Sequence, residues 1–271
     1  MGTKGEAVAW RRVQLRQVDR SAVVTGASGE IGRAVCARLA DGGYGVFATY
    51  RSNRASVEEL AVRRSRGWVE PIQLELSDLD AVQATARKLA EEHPITVLVH
   101  CAGELPRDKW SETTNTTFMR SFAVNCGSAF VLARELAASM IKAGKGSIVN
   151  VASIHALVGS QKRAAYSTSK AALVGLTRAL AVELAPLIRV NAVVPGVFQT
   201  SMNAALLADP HLLSHTRERI PMGRLGTAEE CAEAIVFLTG PLSAYVTGTT
   251  LVIDGGILSR NALPAGDASA T

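Results

Sequence analysis

SAVVTGASGEIG, Ser21–Gly32, decides how the rest of this chain is read. Its first five residues, Ser21–Thr25, are small, β-branched or apolar without alternation, as in a strand covered on both faces. Glycines at 26, 29 and 32 follow at once. A helical pattern then runs over Ile31–Asp41, with Ala34, Val35, Arg38 and Leu39 at helical spacing. A strand, a glycine-rich turn and a helix in this order let the backbone approach a pyrophosphate, whose charge the helix N-terminus attracts. A glycine loop alone is a weak signal, so the context has to come from the residues around it.

That context repeats the same alternation. Strands are expected at Val46–Tyr50, Val69–Leu74, Thr96–His100, Ser147–Val151, Arg189–Val194 and Thr250–Ile253. Helical patterns fall between them at Val57–Arg66, Asp80–Glu92, Phe118–Ala143 and Tyr166–Ala185, with another near Ala228–Leu238. Seven apolar strands interleaved with helices imply an α/β fold: one doubly wound (Rossmann) parallel sheet of seven strands, helices on both faces, in a single domain over 21–256. Residues 1–20 and 257–271 are expected to be mobile tails.

Composition narrows the function. Of 271 residues 48% are hydrophobic, enough for one large core, and the net charge of +5 is spread without a stripe suited to nucleic acid. Cys36, Cys101, Cys126 and Cys231 form no CxxC pair and sit among apolar neighbours, as buried thiols do in a reducing, cytoplasmic setting. No apolar run is long enough for a membrane span, and the basic N-terminal stretch lacks the apolar region of a secretory leader. His211 and His215 are four apart, as metal ligands can be, but no third ligand accompanies them, so no metal is expected.

Ligands of such a sheet bind at the carboxyl ends of the strands. After the second strand, TYRSN (Thr49–Asn53) has no carboxylate for the ribose 2′-hydroxyl of NAD; Arg51, with Ser52 and Asn53, suits the 2′-phosphate of NADP instead. A solvated loop charge is the alternative for Arg51. After the fifth strand come Ser153, then Tyr166 and Lys170 four apart on one helix face. A nearby cation can bring a phenol of pKa near 10 toward neutral working pH. The same spacing also fits a core Tyr and a surface Lys.

In order and spacing, these features resemble the compact, single-domain short-chain dehydrogenase/reductase family. The resemblance runs over about residues 20–256 through the loop Thr25–Gly32, CAG at 101–103, Asn125 in AVNCGSAF, Ser153 in NVASI, YSTSK at 166–170, PGVFQT at 195–200 and IDGG at 253–256. It implies NADP(H) as cofactor, held by Gly26, Ser28, Gly29, Glu30, Ile31, Arg51, Ser52, Asn53, Glu75, Leu76, Cys101, Ala102, Gly103, Tyr166, Lys170, Pro195, Gly196, Val197 and Thr200. Tyr166 is then the general acid of ketone reduction. Lys170 lowers its pKa and holds the nicotinamide ribose, Ser153 donates to the substrate oxygen, and Asn125 holds a water that relays the proton. Three departures stand out: Glu30 where glycine is usual, His100-Cys101 where two asparagines are common, and Glu75 in place of an aspartate that meets the adenine.

The resemblance favours reduction of a 3-oxoacyl thioester or a secondary-metabolite ketone. Sugar, polyol or other alcohol dehydrogenation and a non-catalytic NADP-binding regulator remain open. A carrier-bound substrate would want basic residues near the pocket, for which Arg134, Lys142, Lys145, Lys162 and Arg163 are available. His155 is placed to line that pocket or to sit on an exposed loop. Asn203–Leu225 falls where the family has a mobile lid. The apolar surfaces of Phe118–Ala143 and Tyr166–Ala185 imply a homodimer or homotetramer by family resemblance.

Overall fold

In a computed structural model, which describes residues 18–61 and 66–260, strands and helices alternate from Ser21 onward. The strands are β1 (Ser21–Thr25), β2 (Gly45–Tyr50), β3 (Trp68–Gln73), β4 (Ile95–His100), β5 (Gly146–Val151), β6 (Ile188–Pro195) and β7 (Thr250–Ile253). All pair in parallel, in the order β3-β2-β1-β4-β5-β6-β7. Parallel pairing buries both faces, and β1, β2 and β4 are accordingly buried along their whole length. The strand order reverses between β1 and β4, which opens the crevice at their carboxyl ends.

One sheet face is covered by α1 (Glu30–Asp41), α2 (Ala55–Ala61) and α9 (Ala228–Thr239), through Val35, Leu39, Val57 and Ile235. The other carries α3 (Leu79–Glu92), α4 (Asn115–Phe122), α5 (Ser128–Lys142) and α6 (Ala164–Glu183), with Leu89, Leu136 and Leu180 in its core. Fully buried Leu136 reports what this packing is worth, since truncating such a leucine to alanine costs about 2–5 kcal/mol. Two short helices, α7 (Ala204–Leu207) and α8 (Pro210–Arg219), lie beyond β6. Asp209 caps α8, and a Thr227–Glu230 capping box starts α9.

Expected and observed elements differ at informative places. The long helix expected over Phe118–Ala143 is interrupted by a π-helical turn at Ala123–Gly127, which widens the helix where Asn125 points inward. The helix expected at Val57–Arg66 starts two residues earlier, and 62–65 lie outside the described residues. At the ends, Arg20 of the expected tail lies over the Tyr44 ring and donates to the Gly42 carbonyl at 2.8 Å. Ile257 and Leu258 pack beside Leu173 and Val174, so the body continues past 256. The remaining tail positions, 1–17 and 261–271, lie outside the described residues. Among the described residues no helix is long and apolar enough to cross a membrane.

Candidate active site

Tyr166 and Lys170 stand on one face of the first turns of α6, 6% and 3% exposed. Lys170 Nζ donates to the Val151 carbonyl at 2.7 Å and lies 6.0 Å from the centre of the Tyr166 ring. Ser153 leaves β5 toward the same ring, and its Oγ accepts from the His155 N–H at 3.2 Å, opening the turn Ile154–Ala156. Burial pushes the phenol's pKa up, against the pull of the Ser153 hydroxyl and the Arg163 cation. Burial also drives Lys170 down to about 8. Arg163 pulls the phenol's pKa down from one side, and the Lys170 amine stands against the same ring.

The π-helical turn aims the buried Asn125 side chain at the β4 loop. Its Oδ1 accepts from the Glu104 N–H at 2.8 Å, and its Nδ2 donates to the Glu104 carbonyl at 3.0 Å and to Ser169 Oγ at 2.9 Å. Ser169 in turn donates to the Tyr166 carbonyl at 2.7 Å. Asn125 thus ties the β4 loop to the helix that carries Tyr166. Gly103 sits in this knot, where a Cβ would come within 3.2 Å of Asn125 Oδ1 and 3.3 Å of Lys170 Nζ.

A cavity of ≈ 170 Å³ joins these groups to the glycine loop, lined by Gly26, Gly29, Glu30, Ile31, Cys101, Gly103, Ser153, Tyr166, Lys170, Pro195, Gly196 and Thr200 among others. Its floor requires glycine. Gly26 has φ +66 and its Cβ would lie 2.8 Å from Ala102 Cα; a Cβ on Gly196 would lie 2.7 Å from Asp254 Cα. The N-cap of α1 is Gly29, with no side chain capping the first-turn N–H groups, so these remain free to receive an anion. A dinucleotide pyrophosphate fits that cradle.

A family model described as Enoyl-(Acyl carrier protein) reductase matches residues 26–258. Carbonyl reductase [NADPH] 2 of Sus scrofa is 37% identical over 240 residues, covering 88% of this chain and 96% of the relative. The 2-dehydro-3-deoxy-D-gluconate 5-dehydrogenase of Bacillus subtilis is 33% identical over 242 residues, covering 89% and 95%. The chain belongs to the short-chain dehydrogenase/reductase family. A crystal structure of a candidate NAD(P)-dependent gluconate 5-dehydrogenase from Beutenbergia cavernae, with NADP bound at low occupancy, overlays with TM-score 0.85 at 37% identity, covering 90% of this chain and 98% of that one.

Within this short-chain dehydrogenase/reductase the three departures have physical outcomes. The Glu30 carboxylate turns from the glycine loop and accepts from Ser201 N–H at 2.9 Å and Ser201 Oγ at 3.2 Å, bridging the loop to the segment after β6. His100 is fully buried, with Nδ1 3.1 Å from Thr25 Oγ1, which also accepts from the Cys101 and Ala102 N–H groups at 3.1 Å. Burial holds the imidazole neutral, its pKa near 3, with Lys170 adding to the effect. Among the described residues Nε2 completes no hydrogen bond, although the Val124 and Asn125 backbones lie near enough to oppose that shift. Cys101 is no reactive thiol: burial pushes it up to about 12. For Glu75, burial works upward but hydrogen bonds from Ser77 and the Arg120 cation outweigh it and hold the carboxylate below its ordinary value.

Not every expected contact meets at the cavity. Arg51, Ser52 and Asn53 lie exposed at the end of β2; just past β3, Glu75 is half-buried and Leu76 buried. Arg51 Nη1 meets Glu104 Oε1 at 2.8 Å, and Arg120 joins Glu104 to Glu75 behind it. Ser28, Ala102, Asn125 and Val197 support the cavity without facing it. Lys142 and Lys145 lie by the amino end of β5, across the sheet from the site, and Arg134 pairs with Glu135; the five basic candidates thus form no common patch. Ahead of Asn203, Phe198, Ser201 and Met202 also line the cavity. Sequence reasoning also missed Glu104, whose signal was its place directly after Gly103 at a strand end.

Proposed function

We propose that the protein reduces a ketone to an alcohol with NADPH, Tyr166 serving as the proton donor. The observation that carries this reading is the convergence of Ser153, Tyr166 and Lys170 on one cavity whose other wall is the glycine loop. When bound, the nicotinamide supplies the hydride. Gly26, Gly29, Ile31, Cys101, Gly103, Pro195, Gly196 and Thr200 would hold the dinucleotide, and Arg51, Ser52 and Asn53 its 2′-phosphate. Ser153 donates to the substrate oxygen as charge develops there, and Tyr166 gives it a proton. Lys170, anchored on Val151, holds the nicotinamide ribose, and the Asn125–Ser169 bonds keep the helix start fixed while a water on Asn125 returns the proton.

The Sus scrofa relative is a carbonyl reductase with NADPH in its name, and the Beutenbergia structure carries NADP, which supports the cofactor reading. NADPH oxidation is measured over a panel of ketones with wild type and Tyr166→Phe. Turnover that vanishes in the variant is expected; an inert wild type that still binds NADPH would indicate a cofactor-binding regulator. Self-association belongs to the same proposal, since Phe118, Phe122 and Phe130 stand partly exposed on α4 and α5. Light scattering is expected to give a dimer or tetramer.

A further inference from the structure

Three basic side chains from separate segments gather between Tyr166 and the cavity wall at Met202. Arg163, at the N-cap of α6, acts electrostatically on the phenol itself. The His155 ring stands edge-on to Tyr166, centroids 6.1 Å apart. Arg107, from the β4–α4 loop, reaches Met202 on the cavity wall and donates to its carbonyl at 2.9 Å.

Among the described residues no carboxylate acts on the Arg163 guanidinium, and burial with the two arginines holds the His155 imidazole below its ordinary pKa. Nε and Nη1 of Arg163 and Nδ1 of His155 are buried and meet no hydrogen-bond partner among the described residues. The charged groups that act on His155 are Arg163 and Arg107, and on Arg163 they are Arg107 and Tyr166, with no carboxylate in either set. Arginines elsewhere at this end of the sheet, Arg51 and Arg120, are both paired with Glu104. In addition α6 begins here with no side chain capping its first turn, so the positive end of a 20-residue helix faces the same place. Buried guanidinium donors without acceptors are costly to a fold, and an oxyanion on the ligand would satisfy them bidentately once the Arg163 side chain turns toward the neighbouring cavity.

We propose that the substrate carries an oxyanion, a carboxylate or a phosphate, away from its reacting carbonyl, and that Arg163 receives it with Arg107 and His155 alongside. This rests on the reductase reading above, and it favours small acidic substrates over neutral thioesters. The anion would fix which carbonyl faces Tyr166 and lower KM for charged substrates.

With NADPH, kcat/KM is measured for acetoacetate, levulinate and dihydroxyacetone phosphate against methyl acetoacetate, methyl levulinate and dihydroxyacetone. The charged member is expected to be favoured by about tenfold or more in at least one pair, as a charged hydrogen bond implies; the carboxylate and phosphate pairs tell the two anions apart. Arg163→Gln should collapse that ratio to near one through KM, and Arg163→Lys should keep part of it, which a folding fault would not do. Neutral members reduced as well as charged ones, or a ratio unchanged in Arg163→Gln, would overturn the anion site while leaving the reductase standing. Should no pair be reduced, calorimetry of glutarate against glutaramide on the full chain decides. Glutarate bound about tenfold more tightly, with the gain lost in Arg163→Gln, supports the site and counts against the reductase reading alone; equal or absent binding overturns the site.

Discussion

Arg51 and Glu104 form an ion pair, Nη1 to Oε1 at 2.8 Å, that spans the loops after β2 and β4 on either side of β1. Glu104 is held from behind by Arg120 at 2.7 Å, so the acid is fixed while Arg51, its side chain 61% exposed, can leave it. A 2′-phosphate would compete with Glu104 for that guanidinium. Arg51→Ala is expected to lower kcat/KM with NADPH about tenfold or more and leave NADH nearly untouched, since a hydrogen bond to a charged group contributes about 1.5–3 kcal/mol. Glu104→Gln removes the competitor and should raise the NADPH preference several-fold. Equal use of both cofactors by wild type and both variants would refute the assignment of Arg51.

Tyr166→Phe removes the proton donor while retaining the ring that packs against the site. A loss of about 10²–10⁴ in kcat is expected, the usual range for a general acid. The Kd for NADPH, read by fluorescence titration, should change little. Near-normal turnover by the variant would place the proton source elsewhere.

The alternation of strands and helices, the glycine cradle and the Ser153–Tyr166–Lys170 set were legible because each depends on short-range pattern: apolar runs, glycines that a Cβ would break, and a four-residue helical offset. What was not legible depends on side chains from distant segments meeting. Glu104 and Arg120 are 16 residues apart, yet both reach Arg51's side of the sheet only because the π-helical turn and the β4 loop are tied through Asn125. Arg163 was visible as a charge, but its buried, unpaired donors were not. The π-helical turn itself leaves no periodicity signal, because five residues are too few to shift a 3.6-residue pattern.

Glu30 joins the glycine loop to Ser201 by two hydrogen bonds across 171 positions of sequence. Removing them should loosen the segment after β6. In Glu30→Gly, hydrogen exchange over 201–207 is expected to rise about fivefold, corresponding to about 1 kcal/mol of lost local stability. Exchange over β1 and β4 serves as the internal control. No change over 201–207 would show that the segment is held by the Arg107 bond to the Met202 carbonyl instead.

Thr25 Oγ1 joins the carboxyl ends of β1 and β4, accepting from two backbone N–H groups and meeting His100 Nδ1. Thr25→Val keeps the shape and leaves those donors without their acceptor beside a fully buried side chain. A loss of about 2–4 kcal/mol in urea denaturation is expected from two unsatisfied buried groups. Thr25→Ser, which retains the acceptor, should recover most of it. If Val and Ser variants melt alike, packing rather than hydrogen bonding holds this corner.

Lys170 is a stability liability whose sign can be checked by pH. Its folded pKa of about 8 lies below the ordinary lysine value of 10.5, because burial penalises the ammonium. The unfolded chain therefore binds the extra proton between those two values, and stability rises with pH across that window. Below about 8 the penalty is present in full, on the order of 3 kcal/mol for a shift of this size. Lys170→Met fills the same space without the charge but gives up the bond to the Val151 carbonyl, which offsets about 1 kcal/mol. The variant should thus be more stable than wild type by about 2 kcal/mol at neutral pH, with that advantage gone near pH 10.5. It should also lack reductase activity at every pH, as expected of a lysine kept for its function at the expense of stability. A variant less stable than wild type at neutral pH would mean that Lys170 is held mainly by its contacts and is not penalised by burial.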